Sequence, residues 1–279
     1  MTPPASGPPP LVYTQDETFV IAVGEPLPLT EVSRIVVAKW DGLYAEALRA
    51  ACAQAFPATP VEVCRHGADV LKSLRAQPAD LALLGLTFAD LDGVDLLETV
   101  ARERLASRVL VVSGRRDEHS LHTLRTARFD GFFDPFGEDL AALVVALKRV
   151  ADGEGYISPW LLQPLLGRPE SGVLGQCLTP AELQVLCVIG DGTENTEAAA
   201  RLGLTESTIQ TYRRNLMRKL DVRTSAKLVR EAVRLGVVRI TPDGRTIRPG
   251  FDRMQSDREA RQAARHPPPD SPGTPPAVH

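Results

Sequence analysis

The chain has 279 residues, of which 43% are hydrophobic and 24% charged, and a formal net charge of -3. That length accommodates two ordinary domains, and the balance excludes a globally basic nucleic-acid binder, a collagen-like chain and a disulfide scaffold. No apolar run approaches the roughly 20 residues of a membrane span. The N-terminus MTPPASGPPP has no charged region leading into an apolar core, so no secretory leader is expected. Cys52, Cys64, Cys177 and Cys187 show no paired metal spacing and read as buried thiols of a reducing, cytoplasmic compartment.

Residues 1–9 are expected to be disordered, because Pro, Ser and Gly offer nothing to bury. Within an N-terminal extension over 1–33, Phe19 to Val23 reads as a short strand added at a sheet edge. From Arg34 the texture alternates between strand and helix. Strand-like runs are Ile35–Ala38, Val61–Cys64, Asp80–Leu84, Arg108–Ser113 and Gly131–Phe133. Helix-like stretches follow each of them, ending with Glu138–Val150. Five β-α units over 34–152 imply a flavodoxin-like parallel sheet with helices on both faces, whose ligands sit at the carboxyl ends of the strands.

A linker is expected over 153–176, rich in Gly and Pro around the short apolar turn Pro159–Leu166. The texture then changes. Thr179-Pro180-Ala181-Glu182 is a capping box with proline at the first helical position, followed by Leu183, Val185, Leu186 and Val188. Asn195–Leu202, a turn at Gly203-Leu204, and a helix capped by Thr205 follow, the arrangement that lays a second helix in a DNA major groove. In Thr205–Leu220, Ile209, Tyr212, Leu216 and Leu220 form one apolar stripe, and Ser207, Gln210, Thr211, Arg214 and Arg218 lie opposite. A fourth helix follows Thr224, with Leu228, Val229, Ala232 and Val233 inward. Between Arg201 and Arg234 the basic residues far outnumber the acids Glu206, Asp221 and Glu231, so a net-acidic chain carries a locally basic module. Thr241-Pro-Asp-Gly244 predicts a small hairpin after the bundle. In the C-terminal extension over 239–279, Asp252–Arg265 is polar all round and expected to fray, and the last residues are expected to be disordered.

On these residues, 177–238 resembles the LuxR-type helix-turn-helix domain of NarL/FixJ-family response regulators. The resemblance implies an all-α four-helix domain, double-stranded DNA as partner, and a bacterial two-component setting. It places base reading at Gln210, Thr211 and Arg214, whose groups match adenine, thymine methyl and guanine edges. Asn195, Thr196, Thr208, Arg213, Arg218 and Lys219 fall at phosphate-contacting positions, Arg213 equally as a snorkelling residue. Homodimerisation through the receiver, using Leu121, Leu124, Leu140, Leu143, Val144 and Leu147, and contact with RNA polymerase follow as expectations.

The α/β region resembles the receiver domain that usually precedes this module, but its phosphorylation site is degenerate. The acidic pair that would hold magnesium aligns with Lys39 and Trp40, and the phosphoacceptor position is Gly85. Ser113 is kept, whereas the lysine after the fifth strand becomes Asp134-Pro135-Phe136. Glycine has no nucleophile, and Lys and Trp cannot supply hard oxygen ligands. Asp41, Asp90 and Asp92 are nearby but offset.

The reading is a sequence-specific transcription regulator that acts without aspartate phosphorylation. The alternatives are a conventional phosphorylated regulator, a ligand sensor using the emptied pocket, and a protein-interaction adaptor whose helix-turn-helix has lost DNA. No cofactor or catalytic constellation is expected: His66, His119, His122, His266 and His279 form no nucleophile or metal pattern with the cysteines.

Overall fold

The computed structural model describes residues 11–13, 19–21, 29, 31–125, 127–166, 174, 177–241 and 243–249. The stretches expected to be disordered at 1–9 and to fray at 252–265 lie outside them.

Two short strands, β1 (Leu11–Tyr13) and β2 (Phe19–Ile21), pair antiparallel in a sheet of their own. The Phe19 run therefore does not extend the main sheet. It takes a partner a few residues away, where loop closure costs least.

The main sheet contains β3 (Ile35–Ala38), β4 (Val61–Cys64), β5 (Ala79–Leu84), β6 (Ala106–Val112), β7 (Gly131–Phe133) and β8 (Tyr156–Ile157), in the order β4-β3-β5-β6-β7-β8. Every pairing in it is parallel. Crossovers are made by α1 (Gly42–Ala55), α2 (Gly67–Ala76), α3 (Gly93–Glu103), α4 (Glu118–Leu124) and α5 (Leu140–Ala151). Alternation along the strands feeds two cores. Ile35, Val37, Leu81 and Leu83 pack with α1 and α5, whereas Val36, Ala38, Ala82 and Leu84 pack with α2 and α3. A sheet covered on both faces reads as unbroken apolar runs, the texture of these strands. Asp41, Asp92, Asp117 and Asp139 each accept a backbone N–H at the start of the helix they precede.

The sheet has six strands, one more than expected. β8 comes from the stretch read as linker and pairs with β7, and α6 (Pro159–Leu166) follows with Leu161 fully buried in the α2–α4 core. Two residues were too short a run to register as a strand in the sequence.

The second unit consists of α7 (Pro180–Ile189), α8 (Asn195–Leu202), α9 (Glu206–Lys219) and α10 (Ser225–Arg234). Its core joins Val185, Leu186, Ile209, Leu216, Leu228 and Ala232 to Val237 and Val238, which follow α10. The chain ends its described part in an antiparallel hairpin of β9 (Arg239–Ile240) and β10 (Thr246–Ile247), turning at Gly244.

Three expectations are corrected. Val233, assigned to the inward face of α10, is 39% exposed to solvent. Cys177 is exposed, while Cys52, Cys64 and Cys187 are buried. Leu124, Leu143 and Leu147, offered as dimer surface, are consumed by the receiver's own cores; Leu140 and Val145 remain exposed.

Candidate nucleic-acid interface

The recognition helix is positioned by a turn that only a left-handed residue completes. α8 ends at Gly203 with φ +66°, and a side chain added there would meet nothing within 4 Å, so conformation and not space selects glycine. Leu204 then turns the chain and Thr205 caps α9, its hydroxyl accepting from the Thr208 N–H at 3.2 Å. Ile209 and Leu216 are fully buried, with Tyr212 and Leu220 half-buried against the same core. The apolar stripe therefore fixes the helix by one face and turns the other outward.

Gln210, Thr211, Arg214 and Arg218 are all exposed on that outer face. The side chains of Gln210, Arg214 and Arg218 make no hydrogen bond or ion pair to any described residue, so their donors are available. Thr211 donates its hydroxyl to the Ser207 carbonyl at 3.0 Å, leaving its methyl outward. Asn195 and Thr196 occupy the first turn of α8, whose N-cap Glu194 gives no side-chain cap, so unpaired backbone N–H groups lie at an end suited to anions.

Two of the basic residues assigned to phosphate are engaged inside the module. Arg213 donates through Nε to Asn195 Oδ1 at 3.0 Å and through Nη2 to the Thr193 carbonyl at 2.9 Å. Lys219 donates to Glu182 Oε2 at 2.7 Å and to the Cys177 carbonyl at 2.8 Å. Glu182 is also the N3 partner of Thr179 in the capping box. Burial pushes the Glu182 carboxyl up, but the Lys219 ammonium and the Thr179 donors outweigh it and hold the group below the usual carboxylate range.

At the carboxyl ends of the receiver strands, a Cβ on Gly85 would lie 3.0 Å from Lys39 Cδ and 3.1 Å from the Ala38 carbonyl oxygen. The Lys39 side chain thus fills the space that a side chain at 85 would need. Its ammonium lies 4.4 Å from the centre of the Tyr44 ring, and burial lowers its pKa against the opposing pull of Asp41. Trp40 packs on the α2–α4 core. Ser113 is buried and accepts from the Arg115 N–H at 3.1 Å. Asp134, buried where the resemblance has lysine, pairs with Arg116 at 2.7 Å, and Arg116 stacks over Trp160. The offset acids are committed elsewhere: Asp41 caps α1, and Asp90 accepts from Gly67 and Ala68 at the start of α2. These residues do not fit a magnesium site.

Asp92 leads to a cluster that sequence reasoning missed. Arg239, just beyond the helical bundle, reaches into the receiver and contacts Asp92 Oδ2 at 2.8 Å, Asp117 Oδ2 at 3.3 Å and Ser120 Oγ at 3.2 Å. Arg115 contacts the same two carboxylates, each at 3.2 Å. Beside it the His119 N–H donates to the Leu235 carbonyl at 2.9 Å. Gly236, at φ +77°, lets Asp117 approach so closely that a Cβ would fall 1.9 Å from its Oδ1. A cavity of about 270 Å³ opens next to the cluster, between Phe88 of the receiver and Val233, Val238 and Ile240 of the second unit. No local pattern announces Arg239, because its partners lie more than a hundred residues upstream.

Comparison with known proteins gives the following. The family model described as bacterial regulatory proteins, luxR family, matches residues 176–232. The nitrate/nitrite response regulator protein homolog of Haemophilus influenzae is 32% identical over 150 residues, covering 54% of this chain and 71% of that protein. The transcriptional regulatory protein MctR of Rhizobium johnstonii is 32% identical over 161 residues, covering 57% and 73%. The nitrate/nitrite response regulator protein NarP of Escherichia coli is 27% identical over 161 residues, covering 57% and 74%. Among solved structures, the two-component response regulator RcsB in complex with DNA aligns at 18% identity and a TM-score of 0.48, covering 74% of this chain and 100% of that one.

Proposed function

The chain belongs to the NarL/LuxR family of response regulators and is a DNA-binding transcriptional regulator of that type; from that premise we propose that its receiver acts without aspartate phosphorylation. The observation that carries this is the contact between Lys39 and Gly85. The lysine stem stands 3.0 Å from where a phosphoacceptor's Cβ would begin, and its ammonium lies 3.7 Å from that point. The test is to expose the full chain to acetyl phosphate or beryllofluoride with magnesium. Oligomeric state and DNA affinity should not change. A hydroxylamine-sensitive phosphoryl adduct in the receiver overturns the proposal.

On DNA, Gln210, Thr211 and Arg214 read base edges, and the free N–H groups at Asn195 and Thr196, with Thr208 and Arg218, hold phosphates. Arg213 and Lys219 act from within, by holding α9 against α8 and α7. The chain works as a homodimer formed through the receiver, whose two-fold axis sets two recognition helices on half-sites about 34–36 Å apart. From there it contacts RNA polymerase. Regulation, and not catalysis, is the activity.

The ligand-sensing alternative draws support from the cavity beside Arg239, since Lys39 fills the space around Gly85. A melting temperature unmoved by any compound of a metabolite library would count against it.

A further inference from the structure

We propose that Arg239 is a positioning residue: it locks the helix-turn-helix module to the receiver in an arrangement that leaves the recognition helix open, and so sets the half-site spacing the protein reads. This rests on the homodimer reading above.

Arg239 is held rigidly on its own side. It follows Val237 and Val238, both buried in the core of the second unit, and opens the β9–β10 hairpin. Its planar fork then spans two carboxylates on different receiver elements, the cap of α3 and the cap of α4. The cluster is largely shielded from solvent: the Arg239 side chain is 14% exposed, Asp117 18% and Asp92 only 2%. With Arg115 it balances two guanidinium groups against two carboxylates. Removing Arg239 leaves buried carboxylate with half its counter-charge, so docking without this residue is disfavoured.

A single ion pair would tether the units without orienting them. Here three ties of different kinds meet: the Arg239 fork, the backbone bond from His119 to Leu235, and the close seat of Asp117 on Gly236. Glu118, in the first turn of α4, accepts the Leu174 N–H at 2.6 Å as well. Contacts at three separate pairs of residues restrain rotation as well as distance.

Among the described residues, the contacts named for this seam lie just after α10, at Leu235, Gly236 and Arg239, or at Leu174. None lies on the outer face of α9, where Gln210, Thr211, Arg214 and Arg218 stay exposed with the units docked. DNA binding therefore does not require the docked arrangement to come apart. In a receiver-linked dimer the separation and angle of the two recognition helices follow from this rigid seam, and not from the reach of the linker.

The experiment uses full-length protein and DNA duplexes carrying two inverted copies of the half-site recovered by in vitro selection. Spacers are varied one base pair at a time over roughly one helical turn, and a duplex with a single half-site is measured alongside. The wild-type chain should favour one spacer at least tenfold over those half a turn away. In Arg239→Ala and Arg239→Gln that preference should flatten to about threefold or less, while single half-site affinity stays within twofold of wild type. A dimer whose spacing preference survives both substitutions overturns this proposal alone. Equal loss on single and paired sites also overturns it, since Arg239 would then act on the fold of the module or on DNA directly. A wild-type chain that occupies paired sites as independent monomers overturns the dimer reading, and the spacing role with it.

Discussion

Arg213 and Asn195 are joined by a hydrogen bond of 3.0 Å that crosses from the recognition helix to the first turn of the helix before it. The same guanidinium holds the Thr193 carbonyl. The two helices of the helix-turn-helix are thus braced at the first turn of α8. Arg213→Ala should weaken cognate and random DNA alike, by about 1–2 kcal/mol, as both hydrogen bonds of its guanidinium are lost and the brace between the helices loosens. The salt slope of binding should not change, because no phosphate contact is removed. A slope lower by one counterion would return Arg213 to the backbone contacts.

Arg214, its neighbour, faces the other way and should behave differently. Arg214→Ala should cost about 1–3 kcal/mol on the cognate site and much less on random DNA, as expected when a bidentate contact to guanine is lost. Fluorescence anisotropy on both duplexes across a salt series measures this. Equal losses on the two DNAs would show that α9 does not lie in the groove as proposed.

The Glu182–Lys219 pair predicts a pH dependence. The carboxyl is held below its ordinary value of 4.5 in the folded state, so the folded chain binds fewer protons there than the unfolded chain. The stabilisation is then fully present above about pH 4.5 and is lost as pH falls through the depressed folded value. Lys219→Met should remove roughly 1.5–3 kcal/mol at neutral pH and flatten the acid limb of thermal unfolding. An acid limb unchanged in that variant would refute the assignment.

Gly85→Asp offers a stringent test of the emptied receiver site. The added side chain must displace Lys39, so the variant should be less stable than wild type and should still incorporate no phosphoryl group from acetyl phosphate. Phosphate-affinity electrophoresis and a thermal melt read both effects. Phosphorylation of this single variant would show that Lys39 yields easily and that the acids nearby suffice for metal.

Much of this was legible in the sequence for physical reasons. Strands covered on both faces must be apolar throughout, and Ile35–Ala38 and Asp80–Leu84 announced the doubly covered sheet. The capping box at Thr179 and Glu182 and the period of Ile209, Tyr212, Leu216 and Leu220 placed the helices, because caps and stripes are local. Gly85 and Lys39 drew notice in the sequence, since chemistry missing from a residue type is visible without coordinates, and the two do lie against each other. Ion pairing was not. Lys219 read as a phosphate contact because Glu182 lies 37 residues away, and Arg239 drew no reading because its partners lie more than a hundred residues upstream. The sixth strand escaped because two residues carry no period.

The seam around Arg239 also decides how the molecule meets DNA before any contact is made. The nine basic residues from Arg201 to Arg234 face three acids, a net of +6, whereas the receiver over 34–152 carries 15 basic and 17 acidic residues, a net of -2. Free to tumble on a tether, a basic segment beside a nearly neutral receiver would hold no fixed direction. Locked together, they form a permanent electric dipole with the recognition helix on its positive half. In the field of a polyanion such a body is turned as it diffuses, positive half leading, and the torque is strongest at low ionic strength. The clasp thereby makes a larger share of collisions arrive with the correct face forward.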